Sequence, residues 1–472
     1  MSADENATQN KPSAYEEPDE ERPTTAAPTV PALERELPTI QKLDRSPAPP
    51  GHDPYAALRL PTYRLFAVTF ALAVIGSQSM SVAVQWELFQ QTHKSITLGN
   101  LGLIQALPVI LLALLAGHVS DVFSRKRVLM VTQVLLVIFP LILAFMVKYK
   151  HDWRYYIQAS YAIILLNACA LTFARPARSA LLPGLVPKEI FTNAATWNAT
   201  FFELASVAGP AIGGLIIAKI NVFAALVLSA ICTSVCFALT ALLPDPHVTR
   251  KSEPLNMGTL VAGVRFVWRT KILLAIMTLD LFAVLLGGAV YLLPAFAEQM
   301  NVGASGFGWL RAAPSIGAIT MAMLIAHLPP MKRAGRALLL AVIGFGAATV
   351  VFGFSKSFWL SLAMLFFTGA FDNISVVVRH TLVQLLTPDA MRGRVSAVNQ
   401  VFIGASNELG GMESGYVAQA FSPVFSVVAG GIGAMIVTVL VAFKWPEIRR
   451  FGSLQSAQAI EESEPAQGFS VS

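Results

Sequence analysis

The sequence predicts an all-α membrane protein of about twelve transmembrane helices in two pseudo-symmetric six-helix bundles. Three observations predict it. Hydrophobic residues make up 55% of the chain and charged residues only 13%, where ordinary soluble domains carry about 25% charged residues. Between Tyr63 and Trp445 the chain holds about twelve apolar runs, each near the about 20 residues that cross a hydrocarbon core of about 30 Å. Finally, Arg178, Leu181, Leu185, Pro187, Asn198, Phe201, Gly209 and Gly214 return at one constant offset as Arg379, Leu382, Leu386, Pro388, Asn399, Phe402, Gly410 and Gly415. That offset is close to half of the apolar region, so the repeat reads as an internal duplication, a common feature of transporters.

Residues 1–60 mix Asp, Glu, Pro, Thr and Ala with few large apolar groups, as in Glu16-Glu17-Pro18-Asp19-Glu20-Glu21, which predicts a disordered tail. No basic n-region precedes a short apolar run there, so a secretory signal peptide is not expected and the first span acts as its own insertion signal. The expected spans of the first bundle, 61–243, are 63–89, 98–119, 127–148, 155–179, 190–218 and 221–243. A polar break, 244–270, separates them from the second bundle, 271–445, with spans at 272–299, 305–327, 336–355, 358–384, 391–419 and 424–444. Within the break, Leu260 to Arg269 predicts a short amphipathic helix on the membrane surface, its basic residues facing lipid headgroups. Residues 446–472 read as a second disordered tail.

If the spans alternate, Arg125-Lys126-Arg127, Arg175 to Lys188, Arg250 to Lys271, Lys332-Arg333 with Arg336, Arg392 with Arg394, and Arg449-Arg450 share one side. The other side is poorer in cations, with Lys94, Lys148, Lys150, Arg154, Lys219 and Lys356. The positive-inside rule then places both tails in the cytoplasm. The net charge of +6 lies in these short clusters, which speaks for topology rather than nucleic acid. Cys169, Cys232 and Cys236 all fall in apolar spans without metal spacing, and read as small core residues.

After the second span comes Gly117-His118-Val119-Ser120-Asp121-Val122-Phe123-Ser124-Arg125-Lys126-Arg127. It resembles the signature loop of the major facilitator superfamily, G-x-x-x-D-R-x-G-R-[RK]-[RK]. Gly117, Asp121, Arg125, Lys126 and Arg127 match, while Val122 and Ser124 replace Arg and Gly. A small residue lets two helices approach, and an Asp near a helix end can make a charge-assisted bond to a neighbour, so the loop reads as a cytoplasmic latch made in one transport state and broken in the other.

In the fifth span, Ala205-Ser206-Val207-Ala208-Gly209-Pro210-Ala211-Ile212-Gly213-Gly214 looks like the G-x-x-x-G-P-x-x-G-G element of exporters in that superfamily, with Ala205 replacing the first Gly. Gly209 and Gly213 are one turn apart and admit a close backbone, and Pro210 removes a backbone donor. Further on, Leu293-Pro294-Ala295-Phe296-Ala297 and Gly306 to Gly317, together with Gly263 to Val267, resemble the enterobactin-exporter-like branch of the superfamily. The resemblance covers about residues 60–445. It implies twelve helices, alternating access, and export of a small molecule, usually driven by the proton gradient. The Arg-containing motif common within the fourth span of proton-coupled drug exporters is missing; Arg175 and Arg178 come only at the end of that span.

An ionisable group at the bilayer centre costs at least about 2.5 kcal/mol on insertion scales, so those that remain are functional candidates. Asp280 lies in the seventh span, Glu203 in the fifth on the face of Pro210, Asp372 and Arg379 in the tenth, and Glu408 and Glu413 in the eleventh. Arg311 of the eighth span is the cation best placed to balance an acid or meet an anionic substrate. Asp280, Glu203, Arg311, Asp372 and Glu408 are therefore the substrate or proton candidates, against the alternative of structural ion pairs. Trp86, Trp197, Trp309, Phe201 and Phe202 are candidate cavity-lining aromatics.

No nucleophile-base constellation, His-Glu metal spacing or phosphate loop is visible, so neither an enzyme, a metal centre, a cofactor nor an ATP-driven pump is expected. The expected partners are a small-molecule substrate, protons and the lipid bilayer, without nucleic acid, for a monomer in a bacterial inner membrane. The expected function is a secondary active exporter of an amphipathic siderophore or drug-like molecule. An uptake or lysophospholipid-flipping transporter of the same fold, and a non-transporting membrane receptor, remain as alternatives.

Overall fold

The computed structural model describes residues 53–150, 155–245, 264–329, 331 and 333–450. Twelve long elements follow in order. They are α1 (Pro61–Thr92), α2 (Ser95–Val122), α3 (Arg125–Lys148), α4 (Tyr156–Leu181), α5 (Phe191–Lys219), α6 (Val222–Leu242), α7 (Lys271–Leu286), α8 (Gly303–His327), α9 (Ala334–Phe354), α10 (Phe358–Leu385), α11 (Asp389–Ala420) and α12 (Pro423–Lys444). Their ends fall within a few residues of the expected spans. Local chemistry explains several boundaries: Pro61 and Pro423 open α1 and α12, Ser124 and Ser422 cap α3 and α12 through their hydroxyls, and Asn221 caps α6.

Two spans differ from expectation. The seventh is not one continuous helix: α7 stops at Leu286, a 3₁₀ turn covers Gly288–Leu292, and a short helix, Leu293–Gln299, completes the crossing. A Cβ on Gly288 would fall 2.4 Å from the Gly410 carbonyl oxygen, so α11 lies against the break and only glycine fits there. The eleventh element, α11, is long enough to span a bilayer, but among the described residues only the other eleven crossings are also apolar enough. Asn399, Gln400, Asn407, Glu408 and Glu413 make α11 polar, and part of that polarity faces an internal cavity rather than lipid.

Helix packing carries the duplication. In the first half the principal pairs are α1·α5, α1·α6, α2·α4, α3·α4 and α3·α6; in the second they are α7·α11, α7·α12, α8·α10, α9·α10 and α9·α12. Each pair becomes its counterpart when both indices advance by six. The halves meet through α2·α11 and α5·α8, which the same operation exchanges, the signature of a two-fold axis between them.

All twelve elements alternate, so α1 begins and α12 ends at one face, termed the terminal face, and the other is the distal face. Buried apolar clusters divide along that axis. One cluster joins both halves distally, holding Leu88, Phe89, Leu98 and Leu101 with Phe296, Phe307 and Phe352. Towards the terminal face the core splits in two, around Tyr63, Leu129 and Leu181 in the first half and around Leu273, Leu338 and Leu382 in the second. The halves are thus fused at one face and separate at the other.

The expected tails lie outside the described residues up to 52 and beyond 450, and the expected surface helix lies outside them up to 263. Parts that are described are ordered more than the composition predicts. Ala56–Arg59 is helical, and the buried Ala57 N–H donates to Asn193 Oδ1 at 3.0 Å. Residues 264–269 are helical with Val267 buried in the second-half cluster, and Ile448 of the short helix Pro446–Arg450 joins that same cluster. A few anchoring contacts in each segment, with Leu58 and Leu60 beside Ala57, Phe266 beside Val267 and Trp445 beside Ile448, are a local feature that composition averaged over a tail does not register.

Candidate functional site

Between the halves lies a cavity of about 1150 Å³. Its wall carries polar residues from both halves, including Gln78, Asn167, Arg175 and Arg178 from the first and Asp280, Tyr291, Arg311, Asp372 and Glu408 from the second. The wall mixes apolar side chains with many polar ones.

Glycines close the distal end of this cavity. A Cβ on Gly415 of α11 would lie 2.3 Å from the Gly99 Cα and 3.0 Å from the Ser95 carbonyl oxygen of α2; one on Gly214 of α5 would lie 2.8 Å from the Gly308 Cα and 2.6 Å from the Ala304 carbonyl oxygen of α8. Gly214 and Gly415 are a matched pair of the repeat, so one contact is made twice, each time against the opposite half. Polar contacts across the halves complete this end. Glu298 pairs with His93 at 3.0 Å, the Tyr416 hydroxyl donates to Asn100 Oδ1 at 2.8 Å, the Ile96 N–H donates to Gln419 Oε1 at 3.3 Å, and Trp86 stacks on Phe307 with centroids 5.8 Å apart.

Along α2 and α11 this closeness fades towards the terminal face. Gly102 abuts the backbone of Glu408 and Met412, Gly404 meets only Val109 Cγ1 within 4 Å, and at Gly117 and Gly393 an added Cβ would meet nothing within 4 Å. The cavity is a wedge, shut distally and open at the terminal face.

The loop after α2 sits on the rim of this wedge. Arg125 donates to the Ala180 carbonyl at 2.6 Å, and the Lys126 ammonium donates to the carbonyls of Ala241 at 2.8 Å and Leu243 at 2.6 Å. These carbonyls end α4 and α6, so the cations satisfy orphan acceptors at negative helix termini. Ser124 donates to Asp245 Oδ2 at 2.7 Å. Arg127, next to them, is exposed. The close helix approach expected at Gly117 is not made, and among the described residues Asp121 forms no ion pair. The splaying of α2 from α11 removes the surface either would contact.

The exporter-like element behaves differently from its neighbours in the sequence. Gly209 and Gly213 pack on α1, where added Cβ atoms would lie 2.6 Å from Gln78 Cβ and 3.0 Å from Ser79 Oγ; the Pro210 carbonyl and Gly214 face Gly308 of α8. One stretch of α5 therefore touches both halves.

Among the ionisable candidates, the buried Asp280 carboxylate accepts from Arg379 of α10 in an ion pair. Glu408 accepts from the Tyr291 hydroxyl, and Arg175 and Arg311 are near enough to act on its charge. Arg311 also reaches the Val290 carbonyl at 3.5 Å. Asp372 lines the cavity and is open to it, with no ion pair among the described residues. Glu203 is half-buried on α5 and does not line the cavity, although Asp372 is close enough to influence it. Glu413 accepts from Ser414 at 3.3 Å, away from the cavity wall.

The aromatic expectation fails for four of its five residues, since Phe202 alone of them lines the cavity. Trp86 belongs to the distal seal; Trp197 donates to the Pro54 carbonyl at 2.8 Å and packs on Phe201; Trp309 is 46% exposed. Tyr291, Arg175 and Arg178 are cavity residues that pattern alone does not single out. For Arg178 the repeat itself was the available signal, because it aligns with Arg379.

Similarity searches agree with this architecture. The family model described as transmembrane secretion effector matches residues 52–467. The enterobactin exporter EntS of Shigella boydii serotype 18 is 26% identical over 398 residues, covering 83% of this chain and 93% of that protein. In solved structures, the nucleoside transporter NupG superposes with a TM-score of 0.64 at 13% identity, covering 83% of this chain and 100% of that one. A D-xylose-proton symporter gives 0.62 at 12% identity, covering 80% and 96%. With the two-fold packing and the wedge-shaped cavity already in place, the match over nearly the whole chain identifies it as a multi-pass membrane transporter belonging to the transmembrane secretion effector family of the major facilitator superfamily.

Proposed function

We propose that this chain is a secondary active exporter that moves an amphipathic small molecule, siderophore- or drug-like, out of a bacterial cell by alternating access. The wedge carries this reading: a central cavity open at one face and closed at the other by matched glycines is one of the two states such a cycle needs. The terminal face is assigned to the cytoplasm because Arg125, Lys126, Arg175, Arg333 and Arg336 gather there. Export is favoured by the similarity to EntS and by the α5 element that bridges the halves.

In this scheme residues 61–243 and 271–445 rock as two bundles about the distal contacts. Asp121 is the latch residue of the state closed at the terminal face, while Arg125 and Lys126 hold α4 and α6 in both states. Proton coupling falls to the cavity acids, with Asp280, Asp372 and Glu408 ahead of Glu203, and Arg311 as a substrate-facing cation. The protein works as a monomer, since each bundle finds its partner within the chain.

Transport into inverted membrane vesicles, with candidate siderophores and drugs as solutes, tests the proposal. Accumulation that collapses on adding an uncoupler is expected. Accumulation indifferent to the uncoupler would remove proton drive, and uptake only by right-side-out vesicles would reverse the direction.

A further inference from the structure

The two repeat-related arginines, Arg178 and Arg379, have different partners. Arg379 forms an ion pair with Asp280, which stands nine residues into α7. Arg178 lies instead over the ring of Phe70, nine residues into α1, with the guanidinium carbon 5.7 Å from the ring centroid. Phe70 thus occupies in the first half the place that Asp280 occupies in the second. Among the described residues, the ionisable groups close enough to act on Arg178 are the Cys236 thiol and the Arg175 guanidinium, not a carboxylate, and the buried Arg178 Nε has no hydrogen-bond partner there. A partly buried guanidinium without an anion beside it is costly, and a cation–π contact offsets only part of that cost.

The surroundings are those of a ligand site. Asn167, Leu171, Arg175 and Arg178 fall on one stripe of α4, and all four line the cavity. The Phe70 ring lies parallel to that of Phe66, with centroids 6.4 Å apart, and 30° from that of Phe202, at 6.3 Å; all three rings line the same cavity.

We propose that Arg178, with Arg175, is an anion subsite of the transport cavity, and that it takes a flat aromatic acid whose ring packs on Phe70 and Phe202. The missing internal carboxylate is then supplied by the solute, through charge-assisted hydrogen bonds to the guanidinium. The assignment rests on the exporter reading only in treating the cavity as a solute site, and it makes no use of the direction of transport.

Binding to the full-length chain in neutral detergent micelles tests it, with 2-naphthoate and its uncharged amide, 2-naphthamide, as probes. The acid is expected to bind about tenfold more tightly than the amide, with Arg178→Gln reducing that preference to within about twofold and Arg178→Lys retaining part of it. Phe70→Leu keeps the cation, and is expected to weaken naphthoate several-fold while leaving acetate unchanged. Equal binding of acid and amide by the parent protein, or a preference unchanged in Arg178→Gln, would overturn the proposal. So would displacement of naphthoate by stoichiometric phosphatidylglycerol, which would identify the natural anion as a lipid headgroup. A failed vesicle-transport assay alongside a preserved acid preference would sink the exporter reading and leave the subsite standing.

Discussion

Gly214 of α5 and Gly308 of α8 touch backbone to backbone across the two halves: a Cβ on Gly214 would come within 2.8 Å of the Gly308 Cα. Any side chain there forces the helices apart at the end that is now sealed. Gly214→Val is therefore expected to open the distal face, raising several-fold the labelling rate of a cysteine placed at Gln78 by a membrane-impermeant reagent applied from the distal side. The matched Gly415→Val, against Gly99, should act in the same direction. Labelling unchanged in both variants would show that the glycines are not the seal.

The Asp280 and Arg379 pair is buried, with the two residues 7% and 4% exposed. Removing one partner strands a charge, and such losses cost about 3–5 kcal/mol, whereas replacing both by apolar groups is often near neutral. Arg379→Met should lower the melting temperature of the detergent-solubilised protein by several degrees, and Asp280→Leu combined with Arg379→Met should recover most of it. If the double variant is no better than the single one, the pair does more than balance charge. A separate outcome concerns transport: Asp280→Asn is expected to flatten its pH dependence, and an unchanged pH profile would move proton carriage to Asp372 or Glu408.

The basic triplet after α2 divides its labour in a way that can be separated experimentally. Lys126 caps α6 through two carbonyls, so Lys126→Ala should cost about 1 kcal/mol of stability through lost charge-assisted caps. Among the described residues Asp121 has no such bond in the state open at the terminal face, so Asp121→Asn should leave stability unchanged and reduce transport severalfold by weakening the opposite state. Melting curves and vesicle transport read the two effects independently. A destabilised Asp121→Asn protein would contradict the latch.

How far these features were legible beforehand depends on their range. Hydropathy marks eleven of the twelve long elements among the described residues, because a helix of about 20 apolar residues is a local property, whereas α11 is too polar for that measure. Hydropathy does not register the break at Gly287-Gly288, where the chain stays apolar and Gly288 packs against Gly410 of a helix far away in sequence. The repeat correctly aligned Gly214 with Gly415 at the level of fold. It could not tell that Arg178 rests on an aromatic ring while Arg379 meets a carboxylate, since that difference arises from Phe70 and Asp280, which lie outside the matched window. Tryptophans were poor guides to the cavity for a related reason: Trp86 and Trp197 are used to pack helix ends.

Tyr291 and Glu408 offer the most direct test of whether the broken seventh crossing serves function. The break at Gly288 turns the chain so that the Tyr291 hydroxyl donates to the Glu408 carboxylate inside the cavity, beside Arg311. Tyr291→Phe removes that donor and little volume, leaving the carboxylate to the cavity solvent and to the charges of Arg175 and Arg311. A bond to a charged partner contributes about 1.5–3 kcal/mol, but a cavity open to water returns part of that loss. A fall in transport rate of several-fold is therefore expected, with a melting temperature close to the parent's, and Glu408→Gln should lower transport at least as far while still accepting from Tyr291. A Tyr291→Phe protein that transports normally but melts early would make the bond a brace for the broken helix, with no part in the transport cycle.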